Sequence, residues 1–179
     1  MSNYKLKIVE QIHKGRNNIY IVNIGKRICI LKKPKNNSSS RKESLKRQLK
    51  RIRFWNKFGL SKIRAVRYHG GILKTYVDGK TLHKIIDKDE HFFSENSKEL
   101  KALRNFVELL IRSRHFIHDM KGQNIVFDGE RFQIIDSGPI YKMNNVKKEY
   151  QKILYIKWSK LLDSNREKKY LRKFLRMRI

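Results

Sequence analysis

The stretch from residue 98 to residue 138 constrains this chain most. Leu100, Leu103, Phe106, Val107, Leu110 and Ile111 recur at steps of three and four, which predicts a long helix with one apolar face. The polar loop Asp119-Met120-Lys121-Gly122-Gln123-Asn124 follows. Two short apolar runs, 125–127 and 132–135, then flank Asp128-Gly129, a pair of residues that favours a tight hairpin. Behind the hairpin stands Asp136-Ser137-Gly138-Pro139. An amphipathic helix thus leads into a loop holding Asp119, Lys121 and Asn124, and a hairpin separates that loop from Asp136.

Upstream, 4–12 and 19–24 alternate apolar and polar positions and read as strands joined by a turn at 13–18. A third strand is predicted over 27–33, ended by Pro34. The polar loop 35–40 supplies serines to cap a helix over 41–57, which sets Leu45, Leu49, Ile52 and Trp55 along one side. Gly59 is expected to close that helix. Further strands are predicted over 62–68 and 71–77 with Gly70-Gly71 between them, and a polar, acid-containing stretch spans 87–97. Past Pro139 the chain reads as helical and basic to its end. The order is that of an α+β protein with two lobes, a β-rich 1–77 with one helix and a mainly helical 78–179.

Composition narrows the function classes. With 39% hydrophobic residues, nine Phe and eight Tyr among 179, the chain has material for a core and lacks the signature of disorder. A single cysteine, Cys29, excludes an intrachain disulfide framework and a cysteine-built zinc site, and suits a reducing compartment. The six histidines show no zinc-ligand spacing. No stretch approaches the roughly 18 to 20 apolar residues of a membrane span, and the first residues carry no apolar signal region, so a cytoplasmic location is expected. The formal charge of +28 is unevenly spread: 21 basic against two acidic residues in 1–76, 10 against 11 in 77–141, and 13 against three in 142–179. A basic exterior around a neutral middle favours an anionic partner, whether nucleic acid, phosphorylated glycolipid, nucleotide or the inner face of a membrane.

The run Ile117-His118-Asp119-Met120-Lys121-Gly122-Gln123-Asn124, followed by a hairpin and Asp136-Ser137-Gly138, resembles the catalytic and metal-binding loops of the protein-kinase-like superfamily. In those loops H-R-D-x-x-x-x-N precedes D-F-G. The resemblance implies a two-lobed kinase-like fold and an ATP-dependent phosphotransferase acting on a hydroxyl. Asp119 would orient and deprotonate that hydroxyl, and Lys121 would balance charge at the γ-phosphate. Asn124 and Asp136 would hold Mg2+ or Mn2+ through oxygen ligands, and Gly138 would let the chain turn beside Asp136.

Cys29-Ile30-Leu31-Lys32 is similar to the V-A-I-K strand of kinases. Alternation puts Ile28, Ile30 and Lys32 on one face, so Lys32 would grip phosphates while Ile30 covers the adenine; Lys33 is the off-by-one alternative. Of the glycine-rich loop only Gly15 is present. Glu43, the only acid between Glu10 and Asp78, is the candidate to orient Lys32, provided the helix starts after it. Otherwise it lies opposite Leu45, Leu49 and Ile52. The segment 73–82 resembles the kinase hinge, which implies adenine recognition by backbone groups of Thr75, Tyr76 and Val77.

The pattern also departs from the family. Ile117 replaces the His of H-R-D, Ser137 replaces the Phe of D-F-G, and only about forty residues follow Gly138. Such economy is similar to the small kinase of the tRNA threonylcarbamoyladenosine machinery, to lipopolysaccharide-core sugar kinases and to YrbL-type proteins of the PhoP network. The acceptor expected from these is a protein Ser/Thr or a core sugar. A non-catalytic nucleotide- or RNA-binding module on the same scaffold is the competing expectation. Trp55 and Trp158, on predicted helices, are expected to pack inside.

Overall fold

A computed structural model describes residues 6–14, 17–35, 39–89 and 91–176. The fold is α+β, and the chain divides into two compact units. The first comprises the described residues of Met1–Phe54 with Ile63–Val77; the second comprises Trp55–Lys62 with the described residues of Asp78–Ile179.

In the first unit, β1 (Leu6–Lys14), β2 (Asn17–Ile24) and β3 (Arg27–Pro34) form an antiparallel meander. After helix α1 (Ser39–Lys57) come β4 (Ala65–Tyr68) and β5 (Gly71–Thr75). The strand order is β1-β2-β3-β5-β4, which makes β3 a central strand. The third strand therefore extends one residue further than expected, through Pro34. The strands predicted over 62–68 and 71–77 are shorter: Thr75 ends β5, where its N–H and hydroxyl turn to Arg64. Helix α1 starts at Ser39, two residues earlier than predicted. Its buried positions are Leu45, Gln48, Ile52 and Trp55, the spacing of one helical stripe.

Gly59 ends α1 as expected and for the expected reason. Its φ is +70°, its N–H bonds to Asn56 O at 3.1 Å, and the Leu60 N–H reaches back to Trp55 O at 2.8 Å. That 6→1 bond with its inner 5→2 partner is a Schellman cap, and a left-handed residue there favours glycine.

The segment 55–62 belongs to the second unit, a division that sequence reading places at 77/78 alone. The physical reason is specific. Trp55 and Leu60 are fully buried, the Ile134 N–H donates to Leu60 O at 2.9 Å, and the Lys62 N–H donates to Gln133 Oε1 at 2.7 Å.

The second unit continues through β6 (Lys80–Thr81), α2 (Leu82–Lys88), α3 (Lys98–Arg112), β7 (His115–Ile117), β8 (Ile125–Phe127) and β9 (Phe132–Ile134). It closes with β10 (Ile140–Lys142), α4 (Val146–Trp158) and α5 (Asn165–Arg176). Ser97 caps α3 by accepting from the Leu100 N–H, and the helix buries Leu100, Ala102, Leu103, Phe106, Val107 and Leu110. Phe106 meets Phe132, which also packs on Phe127, so the predicted stripe and the predicted hairpin share one core. Strand order is β6-β8-β9, with β7 and β10 paired separately. The chain after Pro139 is thus not helical throughout: Ile140–Lys142 first adds a strand antiparallel to β7.

Asp128 organises the β8–β9 turn. Its Oδ1 accepts from the Glu130 and Arg131 N–H groups at 3.0 and 2.9 Å, and its Oδ2 accepts from Gln133 Nε2. Partial burial would raise this carboxyl, but the hydrogen bonds from Arg131, Glu130 and Gln133 and the Arg131 charge outweigh it and hold the group below its ordinary value. A depressed carboxyl stabilises the fold above its unfolded pKa, about 3.9, and loses that contribution as pH falls through the lower folded value. Asp128→Asn is therefore expected to cost stability at neutral pH. Urea unfolding across pH should show the gap from wild type closing below about pH 4. A gap that stays constant into acid would show that the carboxylate charge is not what matters.

Candidate active site

Three of the predicted site residues converge within the second unit. Asp119 sits at φ +62°, the left-handed region. A non-glycine residue there is uncommon, although Asp tolerates it better than most, and such strain persists where surrounding contacts over-determine it. Those contacts are present. Asn124 Nδ2 donates to Asp119 O at 3.0 Å and lies 3.4 Å from Asp119 Oδ2. The Lys121 N–H donates to Asp119 O at 2.8 Å, and Lys121 Nζ stands 3.2 Å from Asp119 Oδ1. The Asp119 side chain stays 35% exposed, open to an incoming group.

Asp136 is tied to the same loop through its neighbours. The Ile135 N–H donates to Asn124 O at 3.0 Å, the His118 N–H to Pro139 O at 2.8 Å, and the Gly138 N–H to His118 O at 3.0 Å. These bonds lace 135–139 onto 118–124, directly beside Asp119. Asp136 Oδ1 accepts from the Ser137 N–H at 3.0 Å, a short turn built on the carboxylate itself. Gly138 serves closeness rather than the turn expected of it. It has no left-handed φ, but a Cβ there would lie 3.1 Å from both Cβ and Nδ1 of His118.

Two residues of α4 that sequence reading did not assign to the site hold this loop in place. The indole N–H of Trp158, fully buried, donates to Met120 O at 3.2 Å. The Tyr150 hydroxyl donates to His115 O at 2.9 Å and accepts from the Ile117 N–H at 3.0 Å, fixing the strand that enters the loop. Burial pushes the Tyr150 phenol well above its ordinary value, so it stays a donor. A sequence signal existed only for Trp158, as an apolar position on a predicted helix; nothing in the spacing of Tyr150 announces a hydrogen bond 33 residues back.

The oxygen donors suit a hard divalent cation. The Asn124 amide N–H group is engaged by Asp119, which leaves its Oδ1 as an acceptor, and Asp136 adds a carboxylate. Among the described residues, no group of three or more His, Cys, Asp or Glu is placed to hold a metal ion. A metal here would draw on an amide oxygen, one carboxylate and ligands from outside the protein.

The first unit carries the remaining predicted residues. In the β2–β3 register Ile28 faces Asn23, Ile30 faces Ile21 and Lys32 faces Ile19, so these three share a face of a central strand. The structure places Glu43 within α1 and beside a lysine of its own helix. Because α1 begins at Ser39, Glu43 is already helical; it is exposed, and its carboxylate is 3.9 Å from Lys46 Nζ, one turn on. In the hinge-like segment, the Thr75 N–H is committed to Arg64 O and the Tyr76 N–H reaches Ile28 O at 3.4 Å. Val77 is the residue whose N–H no described residue takes up. Gly15 lies outside the described residues.

Neither protein-family models nor curated proteins show a match to this chain. Among the described residues no helix is long and apolar enough to cross a membrane.

Proposed function

We propose that the chain is an ATP-dependent phosphotransferase of the protein-kinase-like kind, two-lobed in the manner of that fold, with its chemistry in the 118–139 region. The observation that carries this reading is Asp119. It is a partly exposed carboxylate in a left-handed conformation, held by Asn124 and Lys121, with the Asp136 loop hydrogen-bonded alongside. Phosphoryl transfer asks for this kind of arrangement, since positioning and charge stabilisation supply most of the catalysis.

In this reading Asp119 aligns the acceptor hydroxyl and takes its proton as the oxygen bonds to the γ-phosphorus and the bond from that phosphorus to the departing ADP breaks. Lys121, whose ammonium already lies 3.2 Å from that carboxylate, offsets charge on the transferring group. Asn124 Oδ1 and the Asp136 carboxylate would hold Mg2+ or Mn2+, which supplies neutralisation of the phosphate oxygens. Lys32 is assigned to phosphate binding and the Val77 amide, which no described residue takes up, rather than that of Thr75, to the adenine edge. The acceptor proposed is a protein Ser/Thr or a lipopolysaccharide-core sugar, and the location cytoplasmic or peripheral on the inner membrane face.

One observation favours a second reading, a non-catalytic nucleotide- or RNA-binding module: Glu43, the acid expected to orient Lys32, is exposed and 3.9 Å from Lys46 Nζ. Incubation with γ-labelled ATP and Mg2+ or Mn2+ separates the two. Label is expected on the protein itself or on lipopolysaccharide, and is expected to vanish with chelator and in Asp136→Ala. Nucleotide binding with neither transfer nor hydrolysis would hand the function to the second reading.

A further inference from the structure

The outer face of α5 gathers cations, and among the described residues no acid lines it. Arg166, Lys169, Arg172, Lys173 and Arg176 line an open groove of about 720 Å³ together with Tyr170. Spacings of three and four residues put 166, 169, 173 and 176 in one row, where like charges repel each other. The only acid of the helix, Glu167, is turned inward and is 3% exposed. A surface that gathers cations at helical neighbours and buries the one carboxylate able to offset them calls for a polyanion outside the chain.

The apolar side of α5 decides which polyanion. Leu171, Phe174 and Leu175 are buried, Phe174 against Phe93, and Gln151 Nε2 donates to Leu175 O at 3.0 Å. The helix is docked by its apolar face and has none left to lay into a bilayer, which surface-binding amphipathic helices require. Among the cations stands an aromatic ring: Tyr170 is half-buried, with the Arg166 guanidinium 5.9 Å from its centroid. Rows of cations around an aromatic platform are how proteins hold single-stranded nucleic acid, phosphates on the cations and a base on the ring. We infer that the α5 groove is a binding site for single-stranded nucleic acid, with Lys169, Lys173 and Arg176 on successive phosphates and Tyr170 under a base. This holds whether or not the 118–139 region transfers phosphate, since it concerns binding alone.

The test is fluorescence anisotropy of the full chain with labelled 30-nucleotide uridine RNA and the corresponding DNA, from about 50 mM salt upward. Binding of either strand supports the assignment, and the preferred one names the source. Lys169→Glu/Lys173→Glu is expected to weaken binding about tenfold or more and to flatten the dependence of log K on log salt by about one to two units. Tyr170→Ala is expected to cost roughly fivefold with the salt slope unchanged. The control is Arg47→Glu/Lys50→Glu on the exposed side of α1, which alters net charge equally and should leave affinity within about twofold. Equal losses in the two double variants would show a diffuse charge effect and overturn the site. So would an absence of binding by the wild type at low salt. Vesicles of phosphatidylcholine and phosphatidylglycerol complete the test. If Lys169→Glu/Lys173→Glu abolishes vesicle binding and spares RNA binding, the surface belongs to a membrane and the inference fails.

Discussion

Replacing Asp119 by Asn is expected to lower phosphoryl transfer by about 10²- to 10⁴-fold, the range a positioned general base supplies, while the protein stays folded. The substitution is chosen for its backbone. Asp119 has φ +62°, which Asn adopts at least as readily as Asp, whereas Ala would add strain to the loss of the carboxylate. Asn124 Nδ2 bonds to the backbone oxygen of residue 119 at 3.0 Å, and that contact survives the change. The ion pair with Lys121 does not survive, but with Lys121 55% exposed it contributes little to stability. The kinetic signature follows from the role. An interaction made in the transition state lowers kcat and leaves the KM for ATP nearly unchanged. Combining Asp119→Asn with Asp136→Asn should lose much less than the product of the single effects, because the groups act as a unit. Transfer within about threefold of wild type in Asp119→Asn would remove Asp119 from the chemistry and the proposed mechanism with it.

What could be read from the sequence, and what could not, divides by the range of the interactions involved. The α3 stripe and the Gly59 cap were legible because each depends on residues within a turn or two: apolar side chains at steps of three and four, or a glycine where the chain must go left-handed. The β8–β9 hairpin was legible through Asp128-Gly129, since Asp128 builds its turn from its own side chain. By contrast, β7 and β10 have three residues each, too few for alternation to register, and exist because they pair across 20-odd residues. Helix α2, seven residues long, is held by the Thr81 cap and three buried side chains rather than by periodicity. In the candidate site, the spacing of Asp119, Lys121 and Asn124 was visible, but the left-handed backbone at Asp119 was not, because Asp is compatible with several conformations and the hydrogen bonds choose among them. The orientation of Glu43 was likewise open in the sequence, because it depends on where α1 begins; the helix starts at Ser39 and so includes Glu43.

Trp158→Ala is expected to be among the most damaging single substitutions in the chain, at about 3–5 kcal/mol from the emptied volume. Trp158 is fully buried at the end of α4, and its indole N–H is bonded to Met120 O. Removing the ring also orphans a buried carbonyl in the very loop that positions Asp119. Set against the roughly 5–15 kcal/mol that stabilises a typical domain, that loss removes a large share of the fold's stability. Trp158→Phe separates packing from hydrogen bonding. It keeps most of the buried surface, forfeits the donor, and should cost about 1–3 kcal/mol in urea unfolding. The two variants therefore make different demands on an assay. The Ala variant is read by stability, since an activity assay on it would mix lost packing with lost positioning. The Phe variant folds, and its effect on transfer reports on positioning. Met120 immediately follows Asp119, so a carbonyl released from Trp158 lets the carboxylate wander. The expected consequence is a lower kcat with little change in the KM for ATP. A Phe variant as stable and as active as wild type would mean that the indole N–H merely satisfies a buried carbonyl. The loop would then be held by Asn124 and the Asp136 segment without help from α4.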